Sequence, residues 1–317
     1  MSTEGGSKAI VAALTANVGI AVTKFLAFVL TGSSSMLAES VHSLADSGNQ
    51  LLLLLGGRRS RRAATAEHPF GYGRERYVYA FIVSIVLFSI GGLFALYEGW
   101  HKVQHPEAIE GRWWWVPLAV LVVAIGLEGF SFRTAITESN HSRGERSLVQ
   151  FVRSAKAPEL PVVLLEDFAA LIGLVLALFG VALTLLTDNG VWDGIGTLTI
   201  GLLLVAVAVV LAIEMKSLLI GEAARPDQVK RIVAALQERD VDRVIHLRTL
   251  HLGPDELLVA AKLAVGGKDY GHEIAAAIDA AEARARAAVP ELRLVIYLEP
   301  DIDRGATDPA AWQLPAS

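Results

Sequence analysis

The chain has 317 residues, of which 53% are hydrophobic and 19% are charged, with a formal net charge of −5 and no cysteine. Soluble globular chains carry about 25% charged residues, and the deficit here lies mainly ahead of residue 221. The composition excludes a single water-soluble core, a disordered chain, disulfide frameworks and thiolate metal sites, and the acidic balance argues against a nucleic-acid partner. We therefore predict a membrane protein with a soluble C-terminal appendage.

Six segments are apolar enough to cross a bilayer, which takes about 20 residues. We predict spans at residues 9–30, 34–56, 77–100, 113–136, 160–186 and 192–216. The second span is the most polar, because it contains Glu39, His42, Asp46 and Asn49. Small residues at Gly91-Gly92 and at Gly196 and Gly201 favour close approach of helices.

Basic residues indicate the orientation of these spans. They concentrate in the loops after the second and fourth spans: Arg58, Arg59, Arg61, Arg62, Arg74 and Arg76, then Arg133, Arg143, Arg146, Arg153 and Lys156. This alternation predicts that both termini and the soluble domain are cytoplasmic. Residues 1–8 are too short and polar for a cleavable signal peptide, and there is no Arg-rich transit segment. We therefore expect a multi-pass protein of the cell inner (plasma) membrane.

The pattern changes to that of a small α+β domain at about residue 221. It predicts a helix over 226–240, strands over 244–251 and 256–265 joined by a turn at Gly253-Pro254-Asp255, an Ala-rich helix over 272–288 and a strand over 292–298. The order α-β-β-α-β indicates a sheet with helices on one face. We predict a transport domain over 1–220, a cytoplasmic domain over 221–303 and an unassigned tail over 304–317.

Ionisable residues inside a membrane span are costly, so they are functional candidates. His42 and Asp46 are four residues apart and share one face of the second span, which Glu39 also flanks. In the fifth span, Glu166 and Asp167 interrupt an apolar run. Two helices therefore bring carboxylates, and one brings an imidazole, to the depth of the membrane.

A divalent cation would compensate the charge of this cluster. Zinc is bound by His nitrogen and Asp oxygen, and ionised Asp46 and Asp167 with a neutral His42 would cancel its charge. Without the metal, the same groups are costly unless they take up protons, which gives a physical basis for exchanging metal against protons. The alternative is a buried polar network that only joins the two spans.

Two motifs carry a resemblance to a known family. TGSSSMLAESVHSLAD, from Thr31 to Asp46, and HPFGYGRERY, from His68 to Tyr77, resemble the cation diffusion facilitator family of zinc transporters. The resemblance covers residues 8–299 and implies six spans, a cytoplasmic ferredoxin-like domain, a homodimer and exchange of metal ions for protons. LLEDFAA, over residues 164–170, is similar to the branch that includes mitochondrial zinc exporters.

The resemblance implies a metal site formed by His42, Asp46 and Asp167, with His42 at the position associated with zinc preference. The family's usual fourth ligand falls at Val163, which cannot bind metal. The open alternatives for that ligand are Glu166, Glu39, Asn17 and a water molecule, and we favour Glu166 or Glu39.

Two further metal sites of the family depart from its pattern here. In the loop site, His68 is retained, while Tyr72 and Thr65 take the other two positions. The positions of the cytoplasmic zinc cluster hold Ile245, Lys262 and Tyr297, which do not form a zinc site. We therefore expect the soluble domain to act mainly as a dimer contact.

The combined prediction is a homodimeric transporter that exports zinc from the cytoplasm by proton antiport with alternating access. The metal ion is its substrate, protons are the counter-ion, and membrane lipid surrounds the spans. A manganese, iron or cobalt exporter of the same fold is the nearest alternative, since oxygen-rich ligation favours harder ions. An intramembrane metal-dependent hydrolase and a transport-dead scaffold are alternatives from other classes. We do not expect an enzyme.

Overall fold

The computed structural model describes residues 3–106, 112–238, 241–265 and 270–302. The predicted tail, residues 304–317, lies outside the described residues. The chain forms two compact units, one from residues up to Arg59 together with Arg76–Lys216, and the other from Ser60–Glu75 and the residues from Ser217 onward. The second unit thus includes a loop that the predicted division had placed in residues 1–220.

Long helices make up the first unit, because a chain in lipid must satisfy its backbone hydrogen bonds internally. Their bounds are α1 Thr3–Thr31, α2 Ser34–Arg59, α3 Glu75–Val86, a π-helical segment Leu87–Leu93, α4 Phe94–Gln104, α5 Val116–Arg143, α6 Leu148–Ser154, α7 Glu159–Thr187 and α8 Val191–Ile220. The short helix α6 begins with a capping box between Ser147 and Gln150.

Four helices are long and apolar enough to cross a membrane among the residues described: Glu75–Gln104, Val116–Arg143, Glu159–Thr187 and Val191–Ile220. They confirm the third to sixth predicted spans. The first two predicted spans are both helices. In α1, the residues whose side chains the structure describes form the apolar stretch Asn17–Thr31, whereas α2 is too polar to qualify. Four of the six predicted spans are thus confirmed, and the count of six remains a prediction.

Four of the helices form a ring. Helix α1 packs against α2 and α5, and α7 packs against the same two neighbours. Helix α2 also packs against the π-helical segment and α4. The polar face of α2 is therefore enclosed by protein, which explains how a helix with so many ionisable groups is accommodated.

The start of α2 is fixed by a buried carboxylate from α8. Asp193 accepts hydrogen bonds from the backbone N–H groups of Ser34 (2.8 Å) and Ser35 (3.3 Å) and from the hydroxyls of Ser33 (3.2 Å) and Ser34 (3.1 Å). A carboxylate at a helix N-terminus satisfies N–H groups that lack partners within the helix. Gly32, with φ +67°, makes the turn that precedes it.

Glycines bring the third span and α8 into backbone contact. A Cβ atom on Gly99 would lie 2.6 Å from the backbone nitrogen of Leu198, and one on Gly201 would lie 2.8 Å from that of Leu96. Such distances are too short for any side chain. The predicted close approach at Gly201 is confirmed.

The second unit has the predicted order of elements. These are α9 Pro226–Leu236, β1 Arg243–Gly253, β2 Glu256–Ala264, α10 Gly271–Ala288 and β3 Arg293–Asp301. The sheet order is β1-β2-β3, with β1 and β2 antiparallel and β2 and β3 parallel. The turn between Gly253 and Glu256 confirms the predicted hairpin, and the likeness to a ferredoxin fold stays a prediction.

Alternate residues of β2 build the core of this unit. Leu257, Val259 and Leu263 are fully buried with Ile232 of α9. Helix α10 presents alanines to the core at a spacing of four residues, at Ala277, Ala281 and Ala285. Small side chains at that spacing allow the helix to lie close to its neighbours.

Candidate metal site

Helix α2 carries a buried imidazole–carboxylate pair. His42 Nε2 lies 3.5 Å from Asp46 Oδ2, as expected for residues one helical turn apart. His42 is 1% exposed and Asp46 is 8% exposed. Among the residues that the structure describes, neither ring nitrogen of His42 nor Asp46 Oδ1 has a hydrogen-bond partner. Buried polar atoms in native proteins are nearly always hydrogen-bonded, so this pair is suited to receive a ligand.

The π-helical segment adjoins His42. A Cβ atom on Gly91 would lie 3.8 Å from His42 Nδ1 and 3.3 Å from Leu204 Cδ1. A larger side chain at Gly91 would press on the imidazole. Single-turn π segments within α-helices are frequent at functional sites, and sequence periodicity gives no signal for them.

Helix α7 directs its two adjacent carboxylates toward different neighbours. Glu166 is buried and accepts a hydrogen bond from Asn49 Nδ2 of α2 at 2.7 Å. Asp167 is half-buried and accepts one from Ser131 Oγ of α5 at 2.8 Å. Both carboxylates therefore have protein partners in this structure.

A buried lysine that the sequence analysis overlooked pairs with Glu39. Lys24 Nζ of α1 lies 3.0 Å from Glu39 Oε2 and 2.8 Å from Ser43 Oγ. Lys24 is 1% exposed and Glu39 is 0% exposed. The signal was present, because Lys24 is the one charged residue between Ala9 and Thr31, and a lone charge in an apolar span is a functional candidate.

The five predicted ligands are therefore only partly brought together. His42 and Asp46 are adjacent, whereas Asp167 lies on α7, a helix that packs against α2. Glu166 and Glu39 hold the partners described above. Within the described ranges, no three His, Asp or Glu side chains are grouped closely enough to hold a metal ion. A complete metal site remains a prediction.

The other positions named for the fourth ligand differ in setting. Val163 is half-buried on α7. Asn17 lines a cavity of about 930 Å³ between α1 and α5, together with Glu128 and Ser131. Ser131 also donates a hydrogen bond to Asp167, so a residue that lines this cavity directly contacts a predicted ligand.

At the positions of the family's two other metal sites, the residues of this chain contact neighbouring protein side chains. The rings of His68 and Tyr72 lie 4.6 Å apart in the loop after α2. Lys262 Nζ lies 2.8 Å from Asp301 Oδ2 and 3.4 Å from Glu299 Oε1. The hydrogen bond to Asp301 raises the pKa of the Lys262 ammonium, which keeps a cation at that position.

Apolar helices that enclose an imidazole and several carboxylates are typical of membrane proteins that move ions, in which such groups line the ion pathway. The sequence comparisons identify the family within this class. The family model for the cation efflux transmembrane domain matches residues 10–220. The chain belongs to the cation efflux family, which is the cation diffusion facilitator family, and is thus a transporter and not an enzyme.

Several proteins of assigned function are similar to this chain. "Proton-coupled zinc antiporter SLC30A9, mitochondrial" of Xenopus laevis is 35% identical over 271 residues, covering 84% of this chain and 48% of that protein. Its human counterpart is 31% identical over 268 residues, covering 84% and 47%. "Metal tolerance protein C4" of Arabidopsis thaliana is 28% identical over 271 residues, covering 82% and 57%. The chain spans about half the length of these relatives.

The comparisons correct the predicted location. Relatives at 31–35% identity are mitochondrial by name, so the assignment to a cell plasma membrane is wrong. The multi-pass membrane character is retained. The error has a physical source: basic residues orient helices relative to the side of insertion, but they do not specify which membrane receives them.

Proposed function

We propose that this chain is a proton-coupled zinc exporter in which His42, Asp46 and Asp167 bind the ion. The observation that carries the proposal is the buried His42–Asp46 pair, whose ring nitrogens and Oδ1 lack hydrogen-bond partners in a chain of the cation efflux family. Imidazole nitrogen and carboxylate oxygen suit zinc. The names of the relatives, zinc antiporters coupled to protons, support the same substrate and counter-ion.

Metal binding requires Asp167 to exchange its partner. Its Oδ2 accepts from Ser131 of α5, so a small movement of α7 toward α2 would replace that hydroxyl with the ion. Glu166 is the fourth ligand in this proposal, because it already reaches α2 through Asn49. Its adjacent position on α7 allows one movement of the helix to deliver both carboxylates.

Proton exchange follows from the cost of burying charge. An ionised carboxylate that loses its cation in an apolar interior is strongly destabilised. Protons therefore take the place of the departing ion on Asp46 and Asp167. We further propose six spans, a homodimer and alternating access, with release on the side of the membrane opposite the C-terminal domain.

A manganese exporter is the second candidate. It is favoured by one observation, the additional carboxylate of Glu166 beside Asp167 on α7. Three carboxylates and one imidazole form an oxygen-rich set, and such sets suit harder ions. The two candidates differ in which ion the wild-type protein moves.

The test is metal uptake by proteoliposomes that contain the purified chain, with an entrapped indicator and an imposed pH gradient. We expect uptake of zinc that depends on the gradient, and losses of at least about tenfold in His42→Ala and Asp46→Asn, as for disrupted metal sites. His141→Ala, at an exposed position of α5, is the matched control and should transport normally.

Three outcomes would contradict parts of the proposal. Manganese uptake without zinc uptake would reject zinc as the substrate. Uptake that is indifferent to the pH gradient would reject proton coupling. Normal transport by both His42→Ala and Asp46→Asn would reject the site itself.

A further inference from the structure

We infer that Lys24 determines metal specificity by keeping Glu39 out of the ligand set. The inference rests on the proposed function, because it concerns which carboxylates reach the transported ion. It assigns a role to Lys24, a residue of α1 that the sequence analysis did not consider.

The geometry shows Lys24 holding Glu39. The ammonium group of Lys24 donates to Glu39 Oε2 at 3.0 Å and to Ser43 Oγ at 2.8 Å. Glu39 and Ser43 are four residues apart on α2, so the ammonium bridges one helical turn. Both members of the ion pair are buried to at least nine tenths. A buried pair of this kind is costly to break, since either partner alone would be an uncompensated charge.

Glu39 also lies on the face of α2 that carries the predicted ligands. Glu39 precedes His42 by three residues and Asp46 by seven, which places all three on one face of α2. Its Oε1 has no hydrogen-bond partner. A Cβ atom built on Gly173 of α7 would lie 2.9 Å from that oxygen. The free oxygen thus faces the helix that carries Asp167.

Coordination chemistry links this ion pair to selectivity. With Glu39 held by Lys24, the ion meets the four ligands proposed above, one imidazole and three carboxylates. Four ligands fit the four-coordinate preference of zinc. Release of Glu39 would add a carboxylate and raise both the oxygen content and the coordination number. Such a site favours manganese, which prefers six oxygen-rich ligands. Lys24 is therefore a positioning residue that acts through Glu39.

The positive charge of Lys24 also favours zinc over manganese. Lys24 Nζ lies 3.0 Å from Glu39 Oε2 and 2.8 Å from Ser43 Oγ, which flank His42 on α2. A fixed cation beside the site opposes the accumulation of a second metal ion and offsets the extra negative charge of Glu39. Replacing Lys24 with a neutral residue therefore changes the ligand set and the local charge together.

The experiment compares zinc and manganese in two assays on the full-length protein: uptake by proteoliposomes, and binding in detergent by competition with a chromophoric chelator. Lys24→Met should raise the ratio of manganese to zinc transport by about tenfold. Lys24→Arg keeps the charge and should retain the wild-type ratio. Lys216→Met, an exposed lysine of α8, is the matched control and should also retain it.

The neutral double variant Lys24→Met with Glu39→Gln separates specificity from folding. It removes both charges, so no buried charge is left alone, and it should bind and move zinc with the wild-type preference. If Lys24→Met alone yields no monodisperse protein, this variant decides the question. Loss of zinc binding from a monodisperse double variant would show that Glu39 is a ligand and would overturn the inference.

Two further outcomes separate this inference from the proposed function. An unchanged manganese-to-zinc ratio in folded Lys24→Met, with normal zinc transport by the wild type, would overturn the role of Lys24 alone. A wild-type protein that binds and moves neither ion would overturn the proposed function, and this inference with it.

Discussion

The strongest stability prediction concerns the carboxylate that begins α2. Asp193→Asn keeps the shape of the side chain but replaces one acceptor oxygen with an NH2 group. Each of the two Asp193 oxygens accepts one backbone N–H and one hydroxyl: Oδ1 accepts from Ser35 N and Ser33 Oγ, and Oδ2 accepts from Ser34 N and Ser34 Oγ. The NH2 group cannot accept the two hydrogen bonds of the oxygen that it replaces. At least one backbone N–H and one hydroxyl would lose a partner in the protein interior.

The magnitude follows from the number of donors affected. A buried donor left unsatisfied costs about 1–3 kcal/mol, so two of them give a loss of about 3 kcal/mol. At about 2–4 °C per kcal/mol, the unfolding temperature of the detergent-solubilised protein should fall by roughly 6 to 12 °C. Thermal unfolding followed by fluorescence or light scattering measures this directly.

Asp188→Asn is the matched control for this change. Asp188 caps the C-terminus of α7, just ahead of α8, is exposed and has a left-handed conformation with φ 51°, which asparagine tolerates. We expect its unfolding temperature to stay within about 1–2 °C of wild type, as for most surface changes. Equal unfolding temperatures for the two variants would refute the capping role of Asp193.

Two further predictions concern helix packing and the soluble unit. Gly99→Ala places a Cβ atom 2.6 Å from the backbone nitrogen of Leu198, so it should destabilise the protein by about 1–3 kcal/mol. The control is Gly126→Ala, whose Cβ atom would meet no described atom within 4 Å and should not destabilise the protein. Equal unfolding temperatures for the two variants would contradict the packing. For Glu291, desolvation acts to raise the pKa, but hydrogen bonds, led by that from Arg231, outweigh it and lower the pKa. This stabilisation is therefore present above the unfolded-state pKa of about 4.3 and lost as the pH falls through the lower folded-state value. Glu291→Gln should cost about 0.5 kcal/mol at pH 7, because the pair is largely exposed, and progressively less as the pH falls through the folded-state pKa. Hydrogen exchange of the α9 amides would show this, and an effect that does not shrink as the pH falls would contradict it.

The helices and strands could be predicted from the sequence, but the contacts between residues far apart in the chain could not. Hydropathy located the apolar helices, and the turn at Gly253-Pro254-Asp255 located the hairpin, because both signals are local. The contact of Asp193 with Ser34 joins residues 159 positions apart, and periodicity does not encode such pairs. The sequence analysis therefore assigned no role to Asp193.

The candidate site shows the same division. The spacing of four residues predicted that His42 and Asp46 adjoin, and they do. Which neighbour engages Glu39 depends on the rotation of α1 about its axis, and nothing in the residues near Glu39 specifies that rotation. For this reason the ion pair with Lys24 was not anticipated.

The glycine contacts between the third span and α8 restrict how the transport unit can move. At Gly99 and Gly201 the backbone of one helix lies against the backbone nitrogen of a leucine in the other, so the two helices have little room to slide past each other. These two helices should therefore shift as a single rigid body. In the alternating access proposed above, displacement would then fall along the boundary with α2, where Gly91 meets His42. The imidazole would lie at that boundary, so its access to either side of the membrane could change without any change in its own helix.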